Sequence, residues 1–278
     1  MTPRRTARAL EAAAAAARAR PPAPAPPAGE VAAMLARRGL RVAPGRPDLP
    51  FPPDLAGAAA AALAAELRHY GFRLFLRGAI RDGAGFTPAQ TTRYLTPAQA
   101  RACAEALVAL GLARRLPRGR YALSHPARTF GGTLEWYVAW ELRETLGFET
   151  ARGLKLRVPG VGGDLDVVAA AEGKLVYLEL KSAPPKELSR GEVAAFLQRV
   201  RALRPEVAIL AMDTALRLGD KVLPLLTAEL PGAPPRRLGR DQWALTPHLY
   251  AVNAKPDLIA NVSRAIAAGF LARGPELP

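Results

Sequence analysis

The spacing of apolar residues divides the chain into three stretches of different character. Residues 54–127 carry apolar side chains at every third or fourth position, which is typical of helices. Residues 128–278 alternate such segments with short, nearly continuous apolar runs, which are typical of buried strands. Residues 1–53 contain the run Pro-Pro-Ala-Pro-Ala-Pro-Pro, which cannot continue a helix. The segment 31–38 is compatible with a short helix, after which five prolines between positions 44 and 53 break the chain again. We therefore expect a mostly disordered, Pro/Ala-rich linker followed by two domains.

The middle stretch predicts helices followed by a hairpin. Thr-Pro-Ala-Gln occurs at Thr87 and again at Thr96, and each copy offers an N-cap Thr, a Pro at the first helical position and a Gln that closes a capping box. The other expected elements are a helix over 54–70, a strand over 72–76 and a hairpin over 112–123. Helices followed by a basic hairpin are the order of a winged helix-turn-helix domain.

Such a domain would hold nucleic acid through its last helix and its wing. Arg101 is the residue of that helix best suited to reach bases, and the hairpin carries four cations suited to phosphate. Those four are Arg114, Arg115, Arg118 and Arg120. The alternative is that this unit serves packing or dimerisation, so a homodimer stays open.

The third stretch predicts an α/β (α+β) fold. Its expected order is a helix from Phe130 to Leu146, three strands, a helix from Ser189 to Leu203 and a buried strand, which is written αβββαβ. The strands fall at 154–158, 165–170, 175–180 and 206–212. A further strand at 249–252 and a helix reaching Phe270 would cover an edge.

Charged residues interrupt the apolar hairpin that turns at Glu172-Gly173. Side chains alternate between the faces of a strand, so Asp164 and Asp166 share one face, and Glu179 and Lys181 share one face of the next strand. Burying such groups costs several kcal/mol each unless they are paired or hold a metal. This cost favours a functional site at one end of the hairpin.

Composition narrows the class of partner. The 278 residues carry a formal net charge of +15, which attracts polyanions, and nucleic acid is the economical candidate. A single cysteine excludes an intramolecular disulfide and fits a reducing cytoplasm. The sequence lacks an apolar run long enough to span a bilayer, so we expect no membrane partner.

An Asp followed some residues later by Glu-x-Lys on an apolar strand resembles the PD-(D/E)xK nuclease superfamily, the restriction-endonuclease-like fold. The residues that carry the resemblance are Asp166 and Glu179-Leu180-Lys181, and Leu165 stands where the family name has Pro. The run Gly-Gly-Thr-Leu-Glu-Trp-Tyr-Val around Glu135 is similar to the nuclease domain of CRISPR ancillary effectors. Those proteins have a Rossmann-like sensor domain ahead of the nuclease, for which residues 1–53 are too short.

The resemblance implies a nuclease that uses Mg²⁺ or Mn²⁺ and acts on DNA rather than RNA. Asp166, Glu179 and the carbonyl of Leu180 would hold the metal, since Mg²⁺ prefers hard oxygen ligands. Lys181 would orient the attacking water, and Glu135 would add a carboxylate from the preceding helix. Asp164 and Gln198 would support the site from further out, and the alternative for Gln198, which the sequence favours, is an amide on the protein surface.

Two other interpretations remain. In the first, the chain binds nucleic acid and its nuclease-like domain is only a scaffold, with Glu179 and Lys181 kept as an internal ion pair. In the second, Asp164-Leu-Asp166 belongs to a metal-nucleotide site of a glycosyltransferase, but no nucleotide-binding βαβ unit precedes it.

Overall fold

The computed structural model describes residues 29–230, 232 and 234–272. The strands in these ranges are β1 (Val42–Pro44), β2 (Ala113–Leu116), β3 (Arg120–Leu123), β4 (Glu149–Leu156), β5 (Asp164–Ala171), β6 (Lys174–Lys181), β7 (Val207–Met212), β8 (Arg236–Gly239), β9 (Gln242–Thr246) and β10 (Leu249–Asn253). The α-helices are α1 (Glu30–Arg37), α2 (Gly57–Arg68), α3 (Tyr70–Arg81), α4 (Pro88–Thr91), α5 (Pro97–Ala109), α6 (Gly131–Leu146), α7 (Arg190–Leu203), α8 (Val222–Glu229) and α9 (Leu258–Leu271). The Pro-rich run at 21–27 lies outside the described residues.

The architecture is mixed α/β. Eight of the described strands form one sheet in the order β1-β4-β5-β6-β7-β10-β9-β8, and β2 pairs with β3 in a separate hairpin. Strands β6, β7 and β10 are parallel, while the other neighbours are antiparallel. The order α6-β4-β5-β6-α7-β7 confirms the αβββαβ order expected from the sequence.

Two apolar clusters cover the two faces of the sheet. The first cluster lies on one face and contains residues of the helices α2, α3, α5, α6 and α9. The second cluster lies on the other face and contains residues of α1, α7 and α8. The strand β7 is buried along its whole length because both faces are covered and both edges are paired. No described helix combines the length and the hydrophobicity that a membrane crossing requires.

The expected strand at 72–76 is wrong. These residues lie inside α3, which buries Phe72, Phe75, Leu76, Ala79 and Ile80 on one side. That spacing is helical, and the short apolar segment was too brief to show its period by itself. The two Thr-Pro helices and the hairpin are present. Thr96 and Gln99 form the expected capping box, whereas the one expected at Thr87 is absent because its side chain makes no cap hydrogen bond. The winged helix-turn-helix class and the domain boundaries stay predictions.

Residues 29–53 differ from the expected linker. The helix α1 packs beneath the sheet, and β1 pairs with β4 as an edge strand. The carboxylate of Asp48 accepts hydrogen bonds from the backbone N–H groups of Arg128 and Thr129, which ties the loop after β1 to the start of α6. The short helix expected at residues 31–38 is present as α1, whereas β1 was not expected because its pairing joins residues far apart along the chain.

A buried ion pair joins the helical segment to the sheet. Arg73 of α3 donates to the carboxylate of Asp213, which directly follows β7, at 3.0 Å, and the two side chains are 2 % and 0 % exposed. Arg77 donates to the other oxygen of Asp213 at 3.2 Å. Two cations therefore depend on one buried carboxylate.

We predict that Asp213→Ala lowers the free energy of unfolding by about 3–5 kcal/mol, because it leaves Arg73 buried without its counter-charge. Urea unfolding followed by circular dichroism measures the change. The matched control is Glu144→Ala, which removes one partner of the exposed Arg143–Glu144 pair and should change stability by less than about 1 kcal/mol. Equal effects of the two variants would contradict the prediction.

Candidate functional site

The hairpin β5–β6 brings the charged residues to one end of the sheet. The register pairs Val167 with Leu178, and its continuation places Asp166 opposite Glu179. Glu172 and Gly173 both have positive φ in the turn, as the Gly at that position predicts. The expected convergence of Asp166, Glu179 and Lys181 follows from this register.

Glu179 is a buried carboxylate surrounded by donors. Its Oε2 accepts from the guanidinium of Arg199 at 2.8 Å and from the hydroxyl of Tyr177, and its Oε1 lies 3.1 Å from the ammonium of Lys181. Arg199 also donates to the Tyr177 hydroxyl and to the carbonyl of Gly162. These contacts offset the cost of burying the charge.

Lys181 is held between two carboxylates. Its ammonium lies 3.2 Å from Glu192 of α7 as well as 3.1 Å from Glu179. Burial by itself would lower the pKa of Lys181, but the two carboxylates outweigh it and raise the pKa. Lys181 is therefore a fixed cation at the edge of the cluster.

Asp166 is a carboxylate that accepts fewer hydrogen bonds than Glu179 does. Its Oδ2 accepts one hydrogen bond, from the backbone N–H of Leu180 at 2.7 Å. Burial raises its pKa well above the usual value, and the charges of Glu179 and Glu135 raise it further. Negative charge at this point is thus incompletely compensated by the protein.

Glu135 approaches from α6 through a cleft. The cleft has a volume of about 380 Å³ and lies between the loop after β1, the start of α6 and the strands β4 and β5. Asp164 and Arg152 line it together with Glu135. Burial raises the pKa of Glu135 to about 7, which the nearby Arg152 opposes and Asp164 and Glu179 reinforce. Asp164 itself is exposed at the rim of the cleft.

The donor set fits a Mg²⁺ ion held by two carboxylates. Within the described ranges, no three His, Cys, Asp or Glu side chains form a ligand group. Mg²⁺ nevertheless uses one or two carboxylates and fills its shell with water and substrate phosphate. A carboxylate has about four acceptor positions, of which Lys181, Tyr177 and Arg199 occupy three on Glu179. The remaining position and Oδ1 of Asp166 suit such an ion.

Arg199 is the site residue that the sequence pattern did not indicate, and Gln198 is the surface amide that was the alternative to a supporting role. Gln198 is exposed, whereas Arg199 faces the sheet with Phe196 and Leu203. The signal was available, because Arg199 lies three residues after Phe196 and so falls on the same side of the helix. Because Arg199 is charged, it interrupts the row of apolar residues on that side of the helix, and the apolar pattern does not mark it as buried.

The residues predicted to contact nucleic acid lie in the helical stretch 54–127, outside the cluster of Asp166, Glu179 and Lys181. Arg101, Arg114, Arg115, Arg118 and Arg120 are all exposed, on α5 and on the hairpin β2–β3. Arg115 is paired with Glu105, and Arg120 donates to the carbonyl of Gly85 at 3.2 Å. Their role toward nucleic acid stays a prediction.

No protein-family model and no curated protein matches the chain. Among solved structures, the chain is similar to protein VC1899 from Vibrio cholerae, with a TM-score of 0.49 and 15% sequence identity over 86% of this chain and 62% of that chain. It is also similar to Can2 from Sulfobacillus thermosulfidooxidans, determined in complex with cyclic tetra-adenylate, with a TM-score of 0.41 and 17% identity over 65% of this chain and 50% of that one. The matched part is thus less than two thirds of the length of either protein.

The raised pKa of Glu135 predicts a pH dependence of stability. A carboxyl whose pKa is higher in the folded than in the unfolded state makes the fold less stable as pH rises from its unfolded value near 4.5 to about 7. In metal-free buffer, Glu135→Gln should match the wild type at about pH 4 and exceed its free energy of unfolding at about pH 8 by at most about 3 kcal/mol.

Thermal melting of both proteins across this pH range measures the difference. Glu144→Gln is the control, because Glu144 lies exposed on the same helix and should show no pH-dependent gain. A Glu135→Gln protein that loses stability equally at both ends of the range would contradict the assignment of a buried, raised carboxyl.

Proposed function

We propose that the chain is a nuclease that hydrolyses phosphodiester bonds of nucleic acid, with DNA as the preferred substrate, and that it depends on Mg²⁺ or Mn²⁺. The observation that carries the proposal is the position of Asp166 opposite Glu179, with Lys181 beside them. Asp, Glu and Lys in this arrangement combine two oxygen donors with a cation that faces the same space.

The electrostatics of the cluster support a cation-binding role. Burial raises the pKa of Asp166 and of Glu135, and the charge of Glu179 raises both further. A bound dication would relieve this repulsion and lower both pKa values. A purely structural network gains nothing from keeping Asp166 with a single hydrogen bond.

Each residue has a role that follows from its contacts. Asp166, Glu179 and the carbonyl of Leu180 would hold the ion, which supplies an activated water and stabilises developing negative charge. Lys181 is oriented by Glu179 and Glu192, which take two of its three N–H donors, so the third would position the attacking water or a phosphate oxygen. Arg199 and Tyr177 keep the Glu179 carboxylate in one orientation.

A second candidate function is nucleic-acid binding without catalysis. The network of Arg199, Tyr177, Glu179 and Lys181 favours it, because Glu179 is already neutralised by two cations without a metal. In that case the cluster is an internal ion-pair network, and cleavage should never be observed.

Lys181→Ala separates the two functions. Because Arg199 and Tyr177 still compensate Glu179, we expect the variant to lose no more than about 1–2 kcal/mol of stability. If Lys181 acts on the water or the phosphate, cleavage in Mg²⁺ should fall by about two orders of magnitude or more, with nucleic-acid affinity nearly unchanged. Cleavage of plasmid and single-stranded DNA and of RNA, followed on gels beside thermal melting, measures both effects.

Lys174→Ala is the matched control. Lys174 begins the same strand, where it pairs with Glu172 at the opposite end of the hairpin. Its removal should leave cleavage unchanged. The nuclease proposal fails if the wild type cleaves none of the substrates in Mg²⁺ or Mn²⁺, or if the two lysine variants are equally active.

The basic hairpin generates a separate expectation about binding. Arg114, Arg115, Arg118 and Arg120 are exposed, so replacing all four by Glu should weaken nucleic-acid affinity and flatten its dependence on salt concentration. Fluorescence anisotropy titrations at several salt concentrations give the slope. An unchanged slope would assign the hairpin to protein contacts instead.

A further inference from the structure

A groove separates the helical segment from the sheet next to Lys181. It has a volume of about 250 Å³, and its walls include Tyr94 on one side and Ser182 and Leu216 on the other. Ser182 directly follows Lys181, and the backbone N–H of Asp213 donates to the carbonyl of Lys181 at 2.7 Å. The groove therefore opens at the carboxyl ends of β6 and β7, beside the candidate site.

The groove exposes apolar surface. Among the described residues, four large apolar side chains are exposed to solvent, namely Tyr94, Leu146, Leu216 and Leu271. Two of these four, Tyr94 and Leu216, line this one groove, and they are 64% and 57% exposed. An exposed aromatic ring beside a second apolar side chain is typical of a surface that binds a flat ligand.

The same place is basic. Tyr94 and Arg77 also line an adjoining depression of about 530 Å³ whose walls include Arg93 and Arg81, of which Arg81 is paired with the adjacent Asp82. The guanidinium of Arg93 lies 5.1 Å from the centroid of the Tyr94 ring. Arg77 pairs with Asp213, but its Nε is buried without a hydrogen-bond partner in the structure. Cations around an exposed ring are complementary to an anionic strand that carries bases.

The combination selects an unpaired base rather than a duplex. Bases of a duplex are stacked on one another and offer no free face, whereas an unpaired base stacks on a Tyr ring or on an Arg guanidinium. A duplex would contact Arg77, Arg81 and Arg93 only through its phosphates, and its bases would not stack on Tyr94.

We infer that this groove, lined by Tyr94, Arg77 and Leu216, together with the adjoining depression that Arg93 lines, binds an unpaired nucleobase of a single-stranded nucleic acid and that Tyr94 is the residue on which the base stacks. The inference deepens the proposed function and rests on it in one respect, namely that the bound strand continues past Ser182 to the site of cleavage. DNA and RNA share the base and the phosphate that the groove would contact.

The test is a binding measurement in EDTA, so that it does not depend on cleavage. Labelled single-stranded DNA, single-stranded RNA and a hairpin duplex of the same sequence are titrated with wild type, Tyr94→Ala and Tyr94→Trp. We expect Tyr94→Ala to weaken single-strand binding by about tenfold and Tyr94→Trp to retain it, since stacking needs an aromatic face. Duplex affinity should not change.

Arg93→Ala and Arg143→Ala form a matched pair of charge controls. Each removes one cation that lies over an aromatic ring, Arg93 over Tyr94 and Arg143 over Trp140, and only Arg93 lines the depression that adjoins the groove. Arg93→Ala should weaken single-strand binding more than Arg143→Ala. Equal losses would show a simple effect of net charge and would overturn the inference.

Thermal melting of each variant guards against misfolding, and Tyr94 is exposed enough for its replacement to leave the melting temperature unchanged. The inference also fails if Tyr94→Ala binds single strands as tightly as the wild type. A wild type that binds through Tyr94 but never cleaves would remove the nuclease proposal and keep this site. A wild type that cleaves, with Tyr94→Ala unchanged in binding, would do the reverse.

Discussion

The cost of burying charge at the end of the hairpin β5–β6 governs the arrangement around it. Glu179 lies in the sheet with only 2% of its surface exposed, so the protein must supply donors or lose the fold. It supplies Tyr177 and Lys181 from the same strand and Arg199 from the helix α7 that packs on the sheet. The position of α7 follows in part from this requirement, because that helix brings both Arg199 and Glu192 to the strand.

The compensation is uneven. Glu179 has three donors, whereas Asp166 accepts one backbone hydrogen bond and Glu135 relies on the more distant Arg152. Carboxylates left short of donors hold a proton or attract a cation. This unevenness distinguishes a site from an ion-pair network that serves only stability, in which each charge would be matched. It is also why the proposed function depends on Asp166 more than on the buried pair beside it.

The helical segment is attached to the sheet by a second buried charge. Asp213 directly follows β7 and accepts hydrogen bonds from Arg73 and Arg77 of α3. These ion pairs place α3 at the same edge of the sheet as Lys181. The groove that contains Tyr94 exists because of this attachment. A single carboxylate thus positions the helices, and with them the aromatic ring, relative to the candidate site.

Local patterns predicted much of the fold. The hairpin at 164–181, the capping box at Thr96, the helix α7 and the buried strand β7 were all correctly predicted, since each depends on neighbours within a few residues. The helix α3 was misread because the short segment 72–76, with four apolar residues, suits a strand as well as a helix. The strands β8 and β9 were not predicted because they are short and depend on pairing with their neighbours. The helix α8 was not predicted because, although apolar, it has only eight residues and contains Pro224.

The sequence by itself determined which charges would share an end of the hairpin, because the alternation of side chains along a strand follows from backbone geometry alone. Only the tertiary structure decided what surrounds them. Arg199 reaches Glu179 across 20 residues of sequence, Glu135 reaches the cluster from another helix, and residues 29–53 form a wall of the cleft instead of a linker. Contacts between distant residues depend on how helices pack on the sheet, and one chain's spacing carries no record of that packing.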